Sequence, residues 1–169
     1  SSKTMQFTEE ILKQIKYVIL DADSLNSFQK KTKKFLKYLD KNKLITPHRA
    51  EFHRLFPSIK TSLSNKEKVL KFLKVCKSNI LLKGNTTVIG SPAKIVINKH
   101  TSSELAVIGS GDVLAGIIAS LVGDKKMSPN EAASAATWIH GDIAKRYGRG
   151  LISEDLVKGI PSALQRLKK

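Results

Sequence analysis

The chain has 169 residues, 41% of them hydrophobic, with 30 Lys+Arg against 14 Asp+Glu for a formal net charge of +16. That length suits one core and is short for two independent ones. The apolar content excludes a disordered chain, and no apolar run approaches the ~20 residues of a membrane span. A single cysteine, Cys76, excludes an internal disulfide, and "SSKTMQFTEEILKQIK" carries no apolar leader, so a cytoplasmic protein with one domain over 1–169 and no membrane partner is expected.

In chain order, "IKYVIL" (Ile15–Leu20) is a continuous apolar run of the kind buried on both faces of a sheet, ending in the polar set "DADSLN". A lysine-rich helix is expected from about Gln29 to Asn42. A second short strand, "KLIT", is broken by "PHRAEF", which places His48 and Glu51 just past its end. A helix over about Asn65 to Lys77 leads into the strand "NILLKG". Strands separated by helices imply crossovers and a parallel sheet covered on both faces, with ligands gathering beyond the carboxyl ends of the strands. Asp21, Asp23, Asn26, His48, Glu51 and Lys83 all fall there, although Asp21 and Asp23 read as structural residues at a strand end.

"TTVIGSPAKIVINKH" changes character and predicts an antiparallel hairpin on the sheet edge. "SPNEAASAATWIHGDIAKRY" opens with a capping box, Ser128 and Glu131, and Pro129 at the first helical position; its Trp138 and His140 read as packing residues. In "SEDLVKGI", Ser153 is the expected cap and Pro161 the expected stop. Cys76 has no histidine or second cysteine nearby in sequence and reads as a packed thiol. The lysines are scattered through amphipathic segments, without an aromatic platform or a helix-turn-helix pattern, so no specific nucleic-acid partner is expected. Attraction of a polyanionic small molecule is one use for such charge.

The most informative stretch is "VIGSGDVLAGIIASLVG", Val107–Gly123. Val113, Leu114, Ile117, Ile118, Leu121 and Val122 form a helical stripe, while Ala115, Gly116, Ala119 and Ser120 are small enough for a neighbour to approach, so burial around most of the helix is expected. Gly109, Ser110 and Gly111 place unobstructed amides at the start of that helix, where free N–H groups and the helix dipole favour an anion such as phosphate. Asp112 has two readings: a first-turn carboxylate that complements the dipole, or a base that takes a proton from a hydroxyl attacking phosphorus.

Taken together, "VILDADSLN", "LITPHRAEFHRL", "ILLKGNTTVI", "LAVIGSGDVLAGIIASLVG" and "AASAATWIHGDIA", in that order, resemble the C-terminal half of the ADP/ATP-dependent NAD(P)H-hydrate dehydratases of the ribokinase-like superfamily, from about Tyr17 onward. The resemblance implies a three-layer α/β/α fold with a mostly parallel sheet, lacking the N-terminal strands of the family and its Gly-Pro-Gly-Leu-Gly loop. Thr101, Ser102 and Ser103 stand where family members usually carry Gly-Asn-Pro, and Ile108 where a small residue is usual.

By the same resemblance, the expected activity is repair of hydrated NADH or NADPH, with ADP or ATP as co-substrate and Mg²⁺ as cofactor. The ring hydroxyl is phosphorylated and phosphate then leaves. His48 corresponds to a histidine that contacts the hydrated dinucleotide. Lys83, Gly84, Asn85, Thr86 and Thr87 correspond to the segment that holds the nucleotide, with Gly111 as its partner glycine, and Asp112 to the aspartate beside the substrate. Glu51 either steers a hydrated metal or is simply a first-turn glutamate. A related vitamin-precursor kinase, or a remnant without activity, are the alternatives. A complementing N-terminal half or a second copy of the chain is the expected protein partner.

Overall fold

The computed structural model of the protein describes residues 1–167. A helix α1 (Ser2–Gln14), not anticipated from sequence, precedes β1 (Val18–Leu20) and buries Met5, Thr8, Glu9 and Leu12. Then follow α2 (Asp23–Asn26), α3 (Thr32–Leu36), β2 (Lys43–Ile45), α4 (Arg49–Leu55), α5 (Asn65–Val75) and β3 (Asn79–Leu82). The hairpin of β4 (Thr87–Gly90) and β5 (Ile95–Asn98) leads through a 3-10 turn at Ser103–Leu105 to α6 (Ser110–Gly123), α7 (Pro129–Tyr147) and α8 (Ser153–Arg166). Among the described residues, no helix is long and apolar enough to cross a membrane.

The sheet runs in the order β1-β2-β3-β4-β5 and is mixed. β1, β2 and β3 are parallel, while β4 returns antiparallel to β3 and β5 antiparallel to β4 at the edge. Alternation along the strands sorts the core into two layers. Ile45, Ile80, Leu82 and Val88 face a cluster with Phe28, Phe35, Phe52, Val69 and Phe72, whereas Leu44, Leu81 and Ile89 face one built from Leu114, Ile118, Ala136, Ile139 and Leu156. Both crossovers thus lie on one face and α6 to α8 on the other, giving three layers.

Several local expectations are corrected. The lysine-rich helix is confined to Thr32–Leu36, because Lys30 at φ 61° breaks it at one end, and at the other Asp40 Oδ1 accepts the Asn42 N–H at 2.7 Å, a turn that competes with helix. The small side of α6 is not covered: Gly116, Ala119 and Ser120 are exposed, and a methyl carbon at Gly116 would meet nothing within 4 Å. Ser153 is the first helical residue of α8 and not its cap; Asp155 Oδ2 instead accepts the Ile152 N–H. Pro161 does not end α8, since it lies on an exposed face while Leu156 and Ala163 pack inward and Arg166 pairs with Asp142 on α7. The Ser128–Glu131 capping box and Pro129 open α7 as expected.

Candidate active site

The carboxyl ends of the three parallel strands are tied together by backbone. Thr46 N–H donates to Leu20 O at 2.9 Å, and Lys83 N–H to Pro47 O at 2.9 Å, which sets His48 beside Lys83. The ties bring three side chains that follow β1, β2 and β3, namely Asp21, His48 and Lys83, to one edge of the sheet. Lys83 Nζ lies 2.8 Å from Asp21 Oδ1 and 3.1 Å from Oδ2, and both groups are largely buried. Asp21 is therefore part of the site's electrostatics, where sequence alone made it a strand-end residue.

Opposite this pair stands the start of α6. Gly109 adopts φ 83°, a left-handed conformation that suits glycine, and turns the chain into the helix. Ser110 N–H bonds to Val107 O and Val113 N–H to Gly109 O, whereas the Gly111 and Asp112 amides between them, in the first turn of α6, have no backbone acceptor among the described residues. A methyl carbon at Gly111 would lie 3.5 Å from Lys83 Nζ and 3.6 Å from Asp21 Oδ2. At Gly111 the start of α6, with its two free amides and the positive end of the helix dipole, lies against the Lys83 ammonium, which favours an anion, and against the Asp21 carboxylate, with which an anion would share that ammonium.

Around that point opens a cleft of about 820 Å³, within the ~300–1,000 Å³ typical of small-molecule sites. Of the residues singled out from sequence, His48, Lys83, Gly84, Asn85, Thr87, Ser110 and Gly111 line it. The far wall is the segment Thr101–Ser103 with Leu105, Ala106 and Val107. Thr86, Gly109, Asp112 and Glu51 do not line it. Gly109 nevertheless shapes the loop, and the Thr86 carbonyl anchors Asn65 Nδ2 at 2.8 Å beneath the Lys83–Thr87 segment.

His48 caps α4: its Nδ1 accepts the Ala50 and Glu51 N–H groups at 3.1 and 3.3 Å, leaving a half-exposed ring toward the cleft. Glu51 completes the capping box, its Oε2 accepting the His48 N–H at 2.9 Å, with Oε1 3.5 Å from His48 Nε2. Its carboxylate is thereby committed to the helix cap. Asp112 lies one residue past the cleft wall, exposed, and among the described residues no hydrogen bond or salt bridge engages its carboxylate. Among those residues no group of three His, Cys, Asp or Glu side chains gathers as a metal cluster. Mg²⁺ does not require one, since it keeps several waters and is held by one or two carboxylates plus substrate phosphates.

Sequence reasoning missed His140. Beyond packing, it is buried in the cleft wall with Nε2 3.2 Å from Ser110 Oγ, and burial drives its pKa down to about 4 against an opposing pull from the Ser110 backbone, with Lys83 adding to the depression. The signal was a polar ring in an alanine-rich helix, which acquires meaning only when α7 is laid against α6. Trp138 is a packing residue, half-buried and stacked on His100 with ring centroids 5.2 Å apart. Cys76 is a buried thiol whose pKa burial raises to about 11, as a packed and unreactive cysteine should be.

The profile of the family described as NAD(P)H-hydrate dehydratase matches residues 1–162. An ADP-dependent (S)-NAD(P)H-hydrate dehydratase from Neisseria meningitidis is 37% identical over 134 residues, which is 76% of this chain and 45% of the relative. The chain thus spans less than half of that protein. Among solved structures, a ribokinase-like superfamily protein from Enterococcus faecalis superposes with a TM-score of 0.82 at 22% identity, over 98% of this chain and 59% of the other. The ADP/ATP-dependent NAD(P)H-hydrate dehydratase from Bacillus subtilis co-crystallized with ATP/Mg²⁺ gives 0.77 at 24% identity, over 98% and 60%. Those two likenesses establish the ribokinase-like three-layer fold. By the extent of the profile match, the chain belongs to the NAD(P)H-hydrate dehydratase family.

Proposed function

We propose that this chain takes part in ADP- or ATP-dependent dehydration of the hydrated nicotinamide ring of NADH or NADPH. The observation that carries the reading is the approach of Lys83 to Gly111, at a helix start whose Gly111 and Asp112 amides have no backbone acceptor, in a cleft of about 820 Å³. In this reading the nucleotide phosphates rest against the start of α6, with Lys83 and the segment to Thr87 along one side. Lys83 and the amides stabilise charge on the transferring phosphoryl group, the main task in such chemistry.

Asp112 receives the proton of the ring hydroxyl as that oxygen bonds to the terminal phosphorus of the nucleotide and the phosphoanhydride bond breaks, releasing ADP from ATP or AMP from ADP. The ring C–O bond of the new phosphate ester then breaks, inorganic phosphate leaves, a proton on the neighbouring ring carbon passes to water, and the double bond of the reduced nicotinamide is restored. His48 presents its half-exposed ring to the dinucleotide. Mg²⁺ would neutralise charge on the nucleotide phosphates and would be held mainly by those phosphates and its own waters, leaving the Asp112 carboxylate free to take the proton. Glu51 contributes through the α4 cap that orients His48.

The face of α6 beside Asp112 is open, with Gly116, Ala119 and Ser120 exposed and Ile108 99% exposed at its start. We propose that a complementing N-terminal half covers that side and supplies the second wall for the dinucleotide, a second copy of this chain being the other source. A nucleotide-dependent activity and a reduced, buried Cys76 suit the cytoplasm. The test is incubation of hydrated NADH with ADP or ATP and Mg²⁺ while the absorbance of reduced nicotinamide is followed, with and without the complementing half. No recovery of absorbance under any of these conditions overturns the reading.

A further inference from the structure

His140 has no part in the chemistry above, yet it is only 4% exposed and forms part of the cleft wall. Its Nε2 stands 3.2 Å from Ser110 Oγ, and Ser110 is itself only 5% exposed. Ser110 immediately precedes the two α6 amides that lack backbone acceptors. An apolar side chain would fill the same space in this alanine-rich helix without the desolvation cost of a polar ring, so packing does not account for an imidazole there. A serine hydroxyl rotates to suit its surroundings unless a neighbour fixes it. Here the neighbour is a rigid ring on another helix, and it confines the Ser110 oxygen to the cleft beside Gly111.

We propose that His140 is a positioning residue for nucleotide binding: by holding the Ser110 side chain, it sets that hydroxyl to join the Gly111 and Asp112 amides in gripping a phosphoryl group. The proposal rests on the nucleotide-dependent reading of the site. Lys83 supplies charge to the phosphoryl group from an ammonium shared with Asp21, whereas a hydroxyl held from behind supplies a directed hydrogen bond. The ring acts through Ser110 and does not itself touch the nucleotide.

A double-mutant cycle separates this role from packing. ADP binding is measured by titration calorimetry for the unaltered protein, Ser110→Ala, His140→Phe and the double variant, with the melting temperature of each taken without nucleotide. Ser110→Ala is expected to weaken ADP binding ~10–100-fold, the range for a hydrogen bond to a charged group. His140→Phe should lose part of that, and the double variant should bind no more weakly than Ser110→Ala. His140→Gln, whose amide can reach the same point, should restore most of the affinity. Should the phenylalanine variant fail to fold, His140→Asn, too short to reach Ser110 Oγ, takes its place in the cycle with the same outcomes. Losses that add in the double variant, or unaltered affinity on losing His140, overturn the proposal while leaving the nucleotide site intact. Failure of the unaltered protein to bind ADP or ATP overturns the nucleotide reading and the proposal with it.

Discussion

Lys83 Nζ sits 2.8 Å from Asp21 Oδ1, joining the end of β3 to the end of β1 directly beneath Gly111. The pair is held in place by strands on both sides, and the largely buried Asp21 carboxylate depends on Lys83 for its partner. Lys83→Met should therefore have two separable effects. It should weaken nucleotide binding ~10-fold or more and destabilise the fold by ~1–3 kcal/mol, because the carboxylate is left without its donor. The double variant Asp21→Asn, Lys83→Met should recover much of the stability and none of the affinity. Thermal melts with and without ADP read both; recovery of affinity in the double variant would remove Lys83 from the site.

Gly111 tests the cleft itself. A single added carbon there meets Lys83 and Asp21 at 3.5–3.6 Å, which is ordinary contact, so the protein without ligand has room for a side chain. The same space is where the phosphates are expected. Gly111→Val should fold with little change in melting temperature and lose the stabilisation that ADP or ATP confers on the unaltered protein. An unchanged nucleotide-induced shift in the variant would place the phosphates elsewhere.

Why some of this was legible in sequence and some not follows from how far each signal reaches. The hairpin, the Ser128–Glu131 capping box and the glycine turn that starts α6 are local patterns, and each formed where its residues indicated. The lysine spacing over Gln29–Asn42 reports a solvated face but not the turn at Lys30 or the Asp40 side chain that competes with the helix, so α3 is shorter than the spacing suggests. Asp21 and His140 are illegible in sequence for a different reason. Their meaning lies in partners 62 and 30 positions away, and nothing within either segment announces the encounter. The open side of α6 is not legible either, because small residues permit close approach without showing that anything approaches.

Gly141 shows a second long-range constraint. In the middle of α7, a methyl carbon there would fall 1.8 Å from the carbonyl oxygen of His100, and backbone cannot step aside as a side-chain tip can. His100 begins the segment that carries Thr101–Ser103 into the cleft wall. Gly141→Ala should cost roughly 3 kcal/mol or more by forcing that segment off α7. Gly116→Ala serves as the contrast, since nothing lies within 4 Å of its added carbon and the helix should gain ~0.5–1 kcal/mol. Denaturant melts of the two variants should move in opposite directions; a neutral Gly141→Ala would contradict the packing of α7 against His100.

Acid stability should carry a mark of the buried imidazole. The His140 pKa is about 4 in the fold against 6.5 for an unperturbed histidine, with burial the main cause. Above pH 6.5 the ring is neutral in both states and contributes no slope. Below it the unfolded chain takes up the proton first, so stability falls between pH 6.5 and about 4 and levels off further down. The loss is roughly 3 kcal/mol over that window. His53, lowered mainly by burial, acts in the same sense. Asp142 is buried, which alone would raise it, but Arg166 and Arg146 lower it, so its loss comes at more acid pH. The difference between the unaltered protein and His140→Gln isolates the His140 share. Parallel stability curves for the two across pH 6.5 to 4 would show that the ring takes its proton in the fold as readily as in water.

Asp112 bears the largest claim, because the proposed chemistry places a proton on it. Its carboxylate is exposed, unengaged among the described residues and one residue outside the cleft wall, so a hydrated dinucleotide reaching it would meet solvent on that side. Binding and turnover should therefore separate. The chain alone should bind nucleotide weakly, through Lys83 and the Gly109–Gly111 loop, and turn over hydrated NADH far more slowly than when a complementing N-terminal half is supplied. In that restored complex, Asp112→Asn keeps the size of the side chain and the two free amides, so nucleotide binding should persist while turnover falls ~10²–10⁴-fold, the usual range for losing a general base. The measurement is single-turnover recovery of reduced nicotinamide at saturating ADP, beside calorimetric ADP affinity. A loss of both in parallel would make Asp112 a binding residue, and equal turnover with and without its carboxylate would leave the ring hydroxyl to some other base.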